Sequence, residues 1–171
     1  MNILKFLIAS TILLTPLSYA DPLVKINLRF KALIVDRTCT VAPESKSIDV
    51  ALGTWGTKNM INIGDQTRPI PFSIRLLDCT AKTVSISFDG PKYATNPQFL
   101  ALSNESTAKN VAIQILDKDR LLLPIGIFTS PTKINNTTDF RLNFFANYVA
   151  INKNVTAGRA NSTANFILNY D

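Results

Sequence analysis

The side chains able to do chemistry in this chain are few. Cys39 and Cys79 are the two cysteines, and the 171 residues contain no histidine. Without histidine the commonest general base is missing, and with it the triads built on it. Two cysteines so far apart, with no histidine to join them, do not make a metal site. Asp and Glu are sparse, and none stands in a spacing that pairs an acid with a base. Asp117 and Asp119 lack the ligand spacing of a calcium loop and read as a solvated turn. No glycine-rich phosphate loop is present. Asn-x-Ser/Thr triplets begin at Asn104, Asn135, Asn136, Asn154 and Asn161, as a polar, Asn/Thr-rich surface produces by chance. No catalytic residue, metal ligand or cofactor is assigned, and the chain is not read as an enzyme. The chemistry left is oxidative. In an exported protein an even cysteine count argues for a disulfide, with two buried thiols as the alternative. A Cys39–Cys79 bond would close a loop of about forty residues, worth roughly 4 kcal/mol through loop entropy.

Export is read from the beginning of the sequence. Met1 and Lys5 give a positive start, residues 6–17 are mostly apolar, and Ser18 and Ala20 set small residues before a cut ahead of Asp21. Residues 1–20 are therefore assigned as a signal peptide. The run is short for a membrane anchor, which is the alternative. The net charge of +6 is carried by scattered Lys and Arg with no basic block, so a solvated surface is expected in place of a nucleic-acid site.

Holding the two cysteines in place falls to strands. Apolar residues with period two fill residues 24–35, 47–52, 70–77, 83–88, 111–116, 140–149 and 159–170, and turn-forming residues separate them. Residues 121–127 read as a strand interrupted by Pro124. Asn96 is expected to cap a single helical turn over 97–102, with Pro97 at its first position. Many short strands with turn punctuation predict a β-sandwich, and one disulfide favours the immunoglobulin-like kind.

Two segments alternate cleanly. From Val24 the even positions are Val24, Ile26, Leu28, Phe30, Ala32 and Ile34, against Lys25, Asn27, Arg29 and Lys31. Near the other end Ala160, Ser162, Ala164, Phe166, Leu168 and Tyr170 alternate with mostly polar residues. In a strand each even set shares one face.

Taken in order, these features resemble the minor structural subunits of type 1-like chaperone–usher fimbriae. The resemblance rests on a signal peptide, an alternating segment, Cys39-Thr40-Val41, a second cysteine closing Phe72-Ser73-Ile74-Arg75-Leu76-Leu77-Asp78-Cys79, and the segment Leu142-Asn143-Phe144-Phe145-Ala146. It also rests on Gly158, fourteenth from the end as in the family, and on the penultimate Tyr170. The resemblance implies an all-β fold: an incomplete immunoglobulin-like sandwich lacking its last strand, with an N-terminal donor-strand extension. Residues 21–35 would be that extension and residues 36–171 the pilin domain. Ile26, Leu28, Phe30, Ala32 and Ile34 would dock into a neighbouring subunit. Ala32 departs from the glycine often found seven residues before the first cysteine. Phe166, Leu168 and Tyr170 would zip against a periplasmic chaperone, and basic chaperone residues would hold the Asp171 carboxylate. The implied partners are neighbouring fimbrial subunits, that chaperone and an outer-membrane usher, and the implied location is the cell surface, reached through the periplasm.

The composition favours a minor adaptor, with 10 Phe against 6 Gly. A major shaft pilin is the nearest alternative. A self-contained secreted sugar-binding sandwich, with Trp55 and Tyr93 stacking on a ring, is the alternative from another class.

Overall fold

The computed structural model describes residues 38–171. The signal peptide, the extension and its five docking residues lie outside the described residues. Ten strands follow in chain order: β1 (Thr40–Val41), β2 (Ile70–Leu77), β3 (Thr83–Asp89), β4 (Lys92–Tyr93), β5 (Asn96–Leu100), β6 (Val111–Leu116), β7 (Leu122–Leu123), β8 (Thr132–Lys133), β9 (Asp139–Ala150) and β10 (Asn165–Tyr170). They form two antiparallel sheets. The larger runs β1-β2-β9-β6-β5-β4, with β7 also on β6, and the smaller runs β10-β3-β8.

The sheets close on one core. Ile74, Leu76, Leu142, Phe144, Ile113 and Ile115 come from the larger sheet, and Val84, Ile86 and Phe88 from the smaller. Phe72, Phe88 and Phe144 make an aromatic knot there, with ring centroids 5.1–6.0 Å apart. Edge-to-face contacts of this kind stabilise by about 0.5–1.5 kcal/mol beyond burial. β9 is long enough to serve two neighbours: residues 139–146 pair with β2, and 145–150 pair with β6. The fold is an incomplete immunoglobulin-like sandwich, as the sequence predicts.

Four expectations change in detail. Asn96 does not start a helix. Its side-chain oxygen accepts from Gln98 N–H at 3.3 Å, but the backbone goes into β5, paired with β4 through a register shift and with β6 at Leu100. The local cap is satisfied by a two-residue turn, and hairpin pairing decides the rest. The 121–127 strand shrinks to β7 because Pro124 cannot donate to a ladder. Residues 47–52 form no paired strand, and the last strand begins at Asn165, not at 159.

Asp117 is a turn residue as read. Its Oδ1 accepts from the N–H groups of Asp119 and Leu121, both at 2.8 Å. Asn135, Asn136 and Asn154 occupy the left-handed region, at φ 55°, 53° and 57°. Asparagine tolerates that conformation better than most residues, a physical reason for three of the five triplets.

Candidate functional site: an open groove beside the last strand

Cys39 and Cys79 are joined by a disulfide. It ties the chain entering β1 to the chain leaving β2, and Thr80 N–H donates to Thr38 O beside it at 2.9 Å. Tyr170 reaches the same place, its hydroxyl 3.4 Å from Cys39 O. Burial raises the Tyr170 phenol above its usual range, and the contact with Cys39 opposes the shift. β10 therefore ends against the disulfide.

The start of β10 borders an open groove of about 980 Å³. One wall is residues 160–166 and the other is residues 46–53. Phe72, Ile74, Phe88, Ile113 and Ile115 look into the space from the core. The sandwich is thus open along one side, and part of its aromatic knot faces the opening.

Among the described residues, both walls have main-chain groups without partners. β10 pairs with β3 alone among the described residues. Asp171 and Thr83 exchange both N–H···O bonds, at 3.2 and 3.0 Å, which sets the parity of the ladder. Opposed residues alternate between bonded and unbonded pairs. Residues 165, 167 and 169 therefore turn their N–H and C=O groups to β3, and Phe166, Leu168 and Tyr170 turn theirs to the open edge. The side chains of these same three pack half-buried against the core. Across the groove, residues 47–53 have a single main-chain hydrogen bond among the described residues, from Trp55 Nε1 to Leu52 O at 2.6 Å. Buried or half-buried backbone groups normally find partners. Two such edges facing each other across apolar side chains are what a missing strand leaves.

Residues 160–164 have the alternation of a strand without its ladder. The loop at 101–108 holds them instead. Thr107 N–H and Ala108 N–H donate to Arg159 O at 2.9 and 3.0 Å, Ser103 N–H donates to Asn161 O at 2.7 Å, and Ser162 Oγ donates to Ala101 O at 2.7 Å. Gly158 is the residue that admits this contact: a Cβ there would lie 2.6 Å from the carbonyl carbon of Thr107. Gly90 has the same part at the start of β10, where a Cβ would meet Thr163 O at 2.8 Å. The resemblance singles out Gly158 by its place, fourteenth from the end. Only the packed chain reveals the close approach of 163–164.

Of the predicted residues, Phe166 lines the groove, Leu168 and Tyr170 continue the same core-facing side of β10, and Gly158 lies upstream. The main-chain oxygen of Asp171 accepts from Lys82 N–H and Thr83 N–H at 2.8 and 3.0 Å, which fixes the end of β10 against β3. Trp55 follows the groove wall of residues 46–53, its Nε1–H donating to Leu52 O, and Tyr93 is on β4, so the two stand on separate elements. Among the described residues no group of three or more Cys, Asp or Glu could hold a metal ion, and no helix is long and apolar enough to cross a membrane.

The chain has counterparts among known proteins. The chain is 36% identical over 167 residues to the fimbrial-like protein FimF of Salmonella typhimurium, covering 97% of this chain and 96% of that one. It superposes on a type I fimbria protein of Burkholderia pseudomallei with a TM-score of 0.63 at 29% identity, over 80% of this chain and 91% of the other. A subunit from a chaperone–usher pilus matches with a TM-score of 0.65 at 19% identity, over 90% of this chain and 100% of that one. The family model described as Fimbrial protein matches residues 28–171. This chain belongs to the fimbrial protein family, and its fold is that of a chaperone–usher pilus subunit.

Proposed function

We propose that the chain is a minor, adaptor-like subunit that joins its neighbours by donor-strand exchange. One observation carries the reading: among the described residues, two backbone edges without ladder partners face each other across a groove lined by Phe72 and Phe88 of the aromatic knot. An added strand would bond both walls and cover the apolar floor of the groove, as in other cases of strand addition. In this reading a periplasmic chaperone covers the groove first, along Phe166, Leu168 and Tyr170. At the outer-membrane usher a neighbour's extension replaces it, and the finished fimbria stands on the cell surface. This chain's own extension, through Ile26, Leu28, Phe30, Ala32 and Ile34, fills the groove of the subunit ahead. Four of those side chains are large. At roughly 1.5–3 kcal/mol each they supply about 6–12 kcal/mol gross, against the cost of ordering the segment. The Phe-rich, Gly-poor composition supports an adaptor over a shaft subunit.

The test is self-sufficiency. Produced alone in the periplasm, the chain is expected to aggregate or be degraded, because an open apolar edge recruits other strands. Appending a copy of residues 24–35 to its end through a short flexible linker, or co-producing the chaperone, is expected to yield soluble protein. A monodisperse, stable monomer obtained without either would rule out the reading.

A further inference from the structure

Two aromatic side chains each direct their one polar hydrogen at a main-chain carbonyl on the rim of the groove. Tyr148, on β9, donates its hydroxyl to Ala160 O at 2.7 Å. Trp55 donates Nε1–H to Leu52 O at 2.6 Å. Ala160 and Leu52 both line the groove, on opposite walls. They also lie toward the same end. Cys39 meets Tyr170, and from there one wall runs forward to Leu52 while the other runs backward to Ala160.

A half-buried tyrosine needs a partner for its hydroxyl, but that need does not select this one. The direction of the carbonyl does. Arg159 O and Asn161 O are turned to the loop at 103–108. By alternation Ala160 O is turned the other way, along the open edge that continues through Phe166, Leu168 and Tyr170. Counting back along that edge from Phe166, it follows Ala164 O and Ser162 O as the third acceptor that a strand added beside β10 would meet. Burial raises the Tyr148 phenol, so it stays protonated and remains a donor.

We infer that Tyr148 and Trp55 are stops that fix the register of an incoming strand, by filling one acceptor on each wall at the end of the groove away from the disulfide. The inference rests on the strand addition proposed above. A strand running past the stops would bring its own N–H groups against carbonyls that already accept one bond, so each N–H would have to share its acceptor or go without a partner, which is costly. Pairing then ends before Ala160, and every docked side chain falls at a set position relative to Phe166, Leu168 and Tyr170.

Peptide length tests this. Fluorescently labelled peptides with the sequence of residues 24–35, and versions lengthened by two alanines at one end or the other, are exchanged onto the mature chain held by its co-purified chaperone. Dissociation is followed by anisotropy. In the parent, lengthening at either end is expected to change the dissociation rate by less than about twofold. In Tyr148→Phe the freed acceptor takes a bond, and one of the two lengthened peptides is expected to leave about three- to tenfold more slowly than the unlengthened one. Trp55→Phe gives the same result from the other wall, and carries the test if Tyr148→Phe cannot be recovered. Equal length dependence in parent and variants would overturn the stop assignment and leave strand docking intact. Failure of every peptide to bind the parent would overturn the docking and the stops together.

Discussion

Gly158 stands so close to Thr107 that a Cβ built on it would lie 2.5 Å from Thr107 Oγ1 and 2.6 Å from the carbonyl carbon of the same residue. The obstacle is mainly backbone. Gly158→Ala is therefore expected to destabilise the fold by about 1–3 kcal/mol, the usual range for overpacking. Trimming the side chain with Thr107→Ala should not rescue it, since the main-chain atoms remain and the bond from Arg159 N–H to Thr107 Oγ1, 2.9 Å, is lost as well. Urea unfolding of the chain completed by an appended strand measures both. Recovery in the double variant would show that the contact yields.

Phe30→Asp would place a charge in the docked face of the proposed extension, where an unpaired carboxylate is strongly disfavoured. The variant is expected to bind chaperone through its own intact groove but to fail to join the subunit ahead. Co-purification with chaperone, followed by the distribution of assembled fibres by size, separates the two steps. Assembly equal to the parent would remove Phe30 from the joint.

On the outer face of the larger sheet, Arg75 grips Asp139 through two bonds of 2.9 and 2.8 Å and Glu44 through one of 3.0 Å. Asp139 is held below the usual carboxylate range by its bonds to Arg75. Glu44 is lowered by its own backbone N–H and then by Arg75, and the guanidinium is raised in turn, chiefly by Asp139. Carboxyls lowered in the folded state stabilise fully above their unfolded pKa, about 4, and stop doing so as pH falls through the folded value. Arg75→Gln should accordingly lower the urea midpoint at pH 7. The gap to the parent should hold down to about pH 5 and close below about pH 4. Because the groups are exposed, molar salt should narrow it as well. A gap independent of pH would assign the effect to packing of the arginine stem.

Replacing Cys39 and Cys79 together by alanine is expected to cost about 4 kcal/mol through the loop of 40 residues that the bond closes. The damage should reach β10, because Tyr170 meets Cys39 O. Faster amide exchange at the end of β10 in the double variant would be the sign. Loss confined to residues 38–41 would uncouple the disulfide from the groove.

Much of this was legible in the alternation of side chains. Residues 70–77 and 111–116 were bounded correctly because both are framed by turn residues and flanked by partners within the same chain. Residues 47–52 and 159–164 read as strands too, yet neither holds a ladder on the groove side. Their pattern registers which side chains meet the core, whereas a ladder also needs a neighbour, and here the neighbour is missing. Pro97 misled for the opposite reason: it suits the first position of a helix, but Leu100 has Ile113 beside it and the strand wins. The stops at Ala160 and Leu52 were invisible, since a bond from a side chain to a distant carbonyl has no period.

The parity of β10 has one further consequence. Phe166, Leu168 and Tyr170 offer both the open ladder edge and the core-facing side chains. An added strand of alternating pattern cannot slide by one residue without turning its other face onto the groove floor, so its allowed positions come in steps of about 6.8 Å, two residues at a time. The groove then works like a notched rule: small errors of placement are not small in energy, and a neighbour is either seated at a notch or not seated at all.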